Sequence, residues 1–124
     1  MSVGALNYIS DSMAKLNIPY AFAEWKKSIP DRYFVGEYQE VESLTKEEDG
    51  FQETSFILTG FTRGSWLSLE EDKEKIEKYF PQSIITQDGS CVAVYYENSF
   101  VVPTGDKELK KIQINLTIKE WKVN

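Results

Sequence analysis

The 124-residue chain contains no histidine, one cysteine and only four prolines. Without histidine there is no imidazole for a nucleophilic triad and no everyday general base near neutral pH. The commonest transition-metal ligand is missing for the same reason. The lone cysteine, Cys91, cannot close an internal disulfide and fits a reducing compartment. Lying among Val92, Ala93 and Val94 with no base to activate it, Cys91 reads as an inert core thiol. There is no uninterrupted apolar run of membrane length. Nor does a basic stretch followed by an apolar one open the chain, so the expectation is a soluble protein made in the cytoplasm. Basic residues are also scarce: 14 Lys and Arg stand against 20 Asp and Glu, a net charge of −6. Such a surface repels a phosphate backbone, which argues against tight nucleic-acid binding.

What remains is a chain rich in core-forming side chains. Hydrophobic residues make up 41% and aromatic residues 14%, enough for one domain with one core, spanning residues 1–124. The firmest local signal lies at residues 110–121. Ile112, Ile114, Leu116 and Ile118 alternate with Gln113, Asn115, Thr117 and Lys119, the period of a half-buried strand. Four large aliphatic side chains on one side require a sheet and a cover. Val3, Leu6, Ile9, Met13 and Leu16 fall at helical spacing and supply one cover, ending near Asn17 because Pro19 follows. Short strands are predicted at 20–25, 33–44, 52–62 and 91–96, with a start of another at Ile84 and Ile85 and extended chain at 100–102. Ser68 followed by Glu71 has the pattern of a capping box, with Glu70, Glu71 and Asp72 crowding the first turn of a second helix. Leu69, Ile76 and Phe80 form its apolar stripe, and Pro81 ends it. Asp88-Gly89 signals a hairpin, and Glu97-Asn98 a turn. The predicted fold is α+β: an antiparallel sheet of about five or six strands with two helices on one face.

The motifs that carry chemistry are weak. Glu47, Glu48 and Asp49 lack the regular oxygen spacing of a calcium loop, so they read as a solvated turn. Residues 60–65 link a strand to a helix but lack the lysine and glycine spacing of a phosphate loop. Glu37 with Glu40 is a pair that an acid-rich chain produces by chance. No catalytic residue, cofactor or metal site is expected, and the chain does not read as an enzyme.

Two stretches resemble a known family. They are Phe56-Ile57-Leu58-Thr59-Gly60-Phe61-Thr62-Arg63-Gly64-Ser65-Trp66, and Pro103-Thr104-Gly105-Asp106 through Ile112-Gln113-Ile114-Asn115-Leu116 to Glu120-Trp121. With the element order, they resemble the tail terminator (tail completion, tail-to-head joining) proteins of long-tailed phages and prophages. The resemblance implies a virion structural protein of the tail and neck, assembled in the host cytoplasm, with no catalytic residue. It also implies a homohexamer ring that ends tail-tube growth and docks to the head–tail connector, with DNA passing through unbound. The partners would be further copies, the tail tube protein and connector proteins, and no membrane. On that reading Gln113, Asn115 and Thr117 face another subunit or the ring lumen, and an ordinary wet sheet face competes with both. Glu37, Glu40, Glu42, Glu47, Glu48 and Asp49 are candidates for an acidic lumen wall. The competing class is a small monomeric binding module of the inhibitor or immunity type, its acids facing a basic partner.

Overall fold

A computed structural model describes residues 1–26, 28–40, 51–86 and 89–121. Among these residues, two helices, α1 (Val3–Lys15) and α2 (Trp66–Tyr79), accompany six strands. These are β1 (Tyr20–Phe22), β2 (Arg32–Glu40), β3 (Phe51–Thr62), β4 (Gln82–Ile85), β5 (Cys91–Val102) and β6 (Lys110–Trp121). They form one sheet in the order β1-β2-β3-β6-β5-β4, so the sixth strand in chain order lies near the middle.

The period of two in β6 holds over its whole length. Ile112, Ile114, Leu116 and Ile118 are buried, and their β3 neighbours on the same side, Leu58 and Phe56, are buried with them. Both helices cover this side: Ala5, Ile9 and Met13 of α1 and Leu69 and Ile76 of α2 join the same cluster. Val3, included in the predicted apolar stripe of α1, is instead exposed at the helix's first residue. Among the described residues, no helix lies on the opposite side of the sheet. Two close approaches shape the covered side. Gly60 leaves room for the Phe34 ring, whose Cζ would lie 2.5 Å from a β-carbon there, and Gly36 does the same for Tyr20 and Phe56.

Four expectations need correcting. The sheet is mixed, because β1 runs parallel to β2, with Tyr20 beside Phe34 and Phe22 beside Gly36. Strand direction is set by how the chain returns, and the connection after β1 brings it back to start β2 at the same end. Ala23, at φ 68, ends β1 and donates to the Gly36 carbonyl at 2.7 Å. Second, residues 91–102 are one continuous strand. Glu97-Asn98 is no turn but a bulge: Tyr96 pairs with Leu116 and Asn98 with Asn115, leaving Glu97 extra. Third, Cys91 is half-buried on the uncovered side of the sheet, outside the core. Replacing Cys91 with serine should leave folding and oligomeric mass unchanged, checked by circular dichroism and light scattering.

The fourth correction concerns the start of α2. Ser65, in extended conformation, accepts from Leu67 N at 3.1 Å and is the N-cap. Ser68 lies inside the helix and its hydroxyl donates to the Ser65 carbonyl at 2.8 Å, so no capping box forms and Glu70, Glu71 and Asp72 lie past the first turn. Ser65→Ala should therefore cost about 1 kcal/mol. Ser68→Ala should cost little, and denaturant melts of the two variants give the comparison.

Two buried carboxylates tie helices to sheet. Glu120 occupies the next inward position of β6 after Ile118 and is 2% exposed. It accepts from the backbone N–H of Ser2 at 3.3 Å and from the Ser2 hydroxyl, which itself caps α1 by accepting from Ala5 N at 3.1 Å. A carboxylate behind a helix N-terminus complements the helix dipole. Asp72 of α2, its side chain 2% exposed, is paired with Arg32 at the start of β2. Burial raises the Asp72 carboxyl above its ordinary value, against the opposing hydrogen bond and charge of Arg32.

Candidate functional site

The uncovered side of the sheet is the surface that the fold leaves for function. Its residues fall in rows across the strands. Tyr33, Phe61, Lys111 and Val102 make one row; Val35, Thr59, Gln113 and Phe100 make the next. Glu37, Ile57, Asn115 and Asn98 follow.

At one end an aromatic stack covers the sheet. Trp25 tilts against Tyr33 with ring centroids 5.7 Å apart, Tyr33 stacks on Phe61 at 5.2 Å, and Lys111 Nζ lies 5.6 Å from the Phe61 centroid. Farther along β6, Lys119 Nζ sits 5.7 Å from the Tyr95 ring. An ammonium over a ring face is attracted by the ring quadrupole, and its aliphatic stem covers apolar surface. The two lysines that flank the uncharged centre thus lie along the sheet.

The centre is a connected polar chain. Gln113 Nε2 donates to Asn115 Oδ1 at 3.0 Å, and Asn115 Nδ2 donates to Asn98 Oδ1 at 2.7 Å. Thr117 Oγ1 donates to Glu97 Oε1 at 2.5 Å, so the bulge aims its extra carboxylate onto this face. Gln113, Asn115 and Thr117 are therefore brought together, as their alternation requires, and each is only half-buried. Each has a hydrogen-bond partner within the face.

The acidic candidates fare differently. Glu37 lies on the uncovered face, opposite Ile57. Glu40, three positions on, takes the other side with Thr54 and pairs with the Met1 amino nitrogen. Three residues along a strand reverse the face, so these two cannot share one wall. Glu42, Glu47, Glu48 and Asp49 lie outside the described residues. The face as described carries Glu37, Glu53 and Glu97 together with Lys111 and Lys119, a balance of signs and not an acidic wall.

Residues 60–65 have no phosphate-loop geometry: Gly60 to Thr62 end β3, and Thr62 Oγ1 accepts from Gly64 N at 3.0 Å to form a tight turn. Within that turn, Arg63 Nη1 lies 3.2 Å from Asp106 Oδ2. Asp106 also accepts from the Glu108 backbone N–H at 2.9 Å, and that bond, with Arg63, holds its carboxyl below the usual range. Among the described residues, no three or more His, Cys, Asp or Glu side chains come together as a metal site, and no helix is long and apolar enough to cross a membrane.

No family model matches the chain, and no curated protein matches it.

Sequence reasoning missed the aromatic stack and Glu120. The stack's signal was present in the alternation of Tyr33 with Phe34 and of Phe61 with Thr62, but it needs the strand register to be seen. Glu120 could have been found by continuing the alternation of β6 by one step past Ile118.

Proposed function

We propose that this protein works by association through its sheet and not by catalysis, as a tail-terminator-type ring subunit of a phage or prophage tail. The observation that carries this reading is the uncovered face. Among the described residues, a six-stranded sheet with both helices on one side leaves the other side with an aromatic stack, a hydrogen-bonded polar centre and two lysines laid over rings. Such a face is poorly suited to plain hydration and well suited to another protein surface or to the inner wall of an assembly. The resemblance of the two quoted stretches and of the element order supports the specific form. In that form, copies close a ring, six-fold as the resemblance implies, at the head-proximal end of the tail tube. The ring ends tube polymerisation and joins the connector, and the protein resides in the virion neck. DNA passes a wall of mixed charge with few releasable phosphate contacts.

Light scattering or native mass spectrometry tests the reading. The expected mass is a small integer multiple of the 14.3 kDa chain, with six the expected integer. A monomer at tens of micromolar would overturn it and favour a binding module of the inhibitor type.

A further inference from the structure

We infer that copies of this chain join head to tail through the two edges of the sheet, β1 of one copy adding beside β5 of the next. This rests on the ring reading and specifies the contact that would close it.

The two edges have matching steps. On one edge, β1 projects beyond β2 only alongside Phe34–Gly36, leaving Glu37 to Glu40 without an outer neighbour in the described sheet. On the other, β4 projects beyond β5 only alongside Cys91–Val94, leaving Tyr95 to Val102 without an outer neighbour in the described sheet. Followed across the sheet, Tyr20 is level with Val101, Ala21 with Phe100, and Phe22 with Ser99. β4 begins on the Glu40 row, at the opposite end. The projection on one edge therefore fits the recess on the other when a second copy is set alongside without a shift. Strand directions agree as well. β1 follows β2, and alternation through β3, β6 and β5 makes β1 antiparallel to the β5 it would meet. The meeting pairs, Tyr20 with Val101, Ala21 with Phe100 and Phe22 with Ser99, run in opposite senses as an antiparallel ladder requires.

Apolar exposure marks the same two edges. Of ten exposed large hydrophobic residues among those described, six lie there: Phe22 and Tyr38 on one edge, Ile85, Tyr95, Phe100 and Val101 on the other. Proteins that stay monomeric protect such edges with charge, most often lysine. Here Tyr95 to Val102 contains a single charged residue, Glu97, and its carboxylate is turned onto the sheet face by Thr117. On the helix-covered side, Phe22 and Tyr38 stack at 5.9 Å, and the recess offers Val101 and Tyr96 on the matching side. A two-fold pairing of β5 with itself would leave the Phe22 and Tyr38 edge bare, whereas head-to-tail pairing covers both. Unlike edges that fit each other generate rings when the rotation closes. With the helix layer outside, the face of Gln113, Asn115 and Thr117 becomes the inner wall.

Cysteine cross-linking in a Cys91→Ser background tests the contact. Within one chain, Ala21 and Phe100 are separated by four strand spacings, roughly 19 Å, too far for a disulfide. Oxidised protein carrying both Ala21→Cys and Phe100→Cys should give a covalent ladder ending at the mass of the assembly. The two single variants should give no cross-link alone and only dimers when mixed. As a second variant, Val101→Lys places a charge on the free edge and should reduce the assembly to 14.3 kDa chains with an unchanged circular dichroism spectrum. Dimers from Phe100→Cys alone would overturn the inference in favour of two-fold pairing. An assembly of normal mass that neither cross-links nor responds to Val101→Lys would overturn it while leaving the ring reading intact. A monomeric parent protein would overturn both.

Discussion

Phe34→Ala should cost about 3–5 kcal/mol in urea or guanidinium melts, the expected range for deleting a buried aromatic ring. Phe34 is fully buried, and it lies over Gly60, where a β-carbon would come within 2.5 Å of Cζ and 2.6 Å of Cε2. The empty position at Gly60 exists to admit that ring. Gly60→Ala alone should therefore cost about 1–3 kcal/mol by overpacking. In the Phe34→Ala background the clash with the ring is gone and the added methyl has a void beside it, leaving only the tight 3.0 Å approach to Ile112 Cγ2. The same Gly60→Ala change should then cost much less, or return some stability. A double-mutant cycle reads this as a coupling between the two positions. Additive costs would mean that Gly60 is needed for a reason other than the ring.

Arg32→Ala should destabilise the protein by about 3 kcal/mol at neutral pH, because it leaves a buried carboxylate without its main partner. The figure is the low end of the range for buried pairs, since Arg32 is 31% exposed and Lys75 Nζ remains 4.0 Å from Asp72 Oδ1. The pH dependence follows from the direction of the Asp72 shift. Its carboxyl is already raised by burial, with Arg32 opposing, so losing Arg32 raises it further. An acid whose pKa is higher in the fold than in the unfolded chain contributes most below its unfolded value of about 3.9 and loses that contribution as pH rises. The deficit of Arg32→Ala relative to the parent should accordingly be largest near pH 7 and shrink on acidification toward pH 4. Melts at several pH values decide it. A deficit independent of pH would mean that Arg32 stabilises by packing alone.

The sequence was legible where one residue type repeats on one period and its consequence is local. The alternation of Ile112, Gln113, Ile114 and Asn115 named both faces of β6, and the spacing of Ile9 with Met13 named the inward side of α1. It was less legible where two candidates obey the same rule. Ser65 and Ser68 both precede acids, and only the extended backbone at Ser65 distinguishes the cap from a residue already in the helix. Pairing was not legible at all, since the direction of a three-residue strand such as β1 depends on the path of the chain around it. The candidate site divides the same way. Gln113, Asn115 and Thr117 share a face because they share a parity, whereas Glu37 and Glu40 were grouped by charge and are separated by parity. The aromatic stack of Trp25, Tyr33 and Phe61 joins separate segments, and the alternation that places Tyr33 and Phe61 on one face shows the stack only once the strand register is known.

The place of β6 in the sheet governs how the chain can fold as it is synthesised. β6 separates β3 from β5 and hydrogen-bonds to both along its length, so neither can complete its pairing until residues 110–121 have been made. Before then, two half-sheets, β1-β2-β3 and β4-β5, have the edges intended for β6 bare. Closing so many distant contacts in one step carries a large loop entropy, and sheets of this kind fold in milliseconds to seconds. Unpaired strand edges of this kind, exposed before a sheet is complete, are where pairing errors between chains arise.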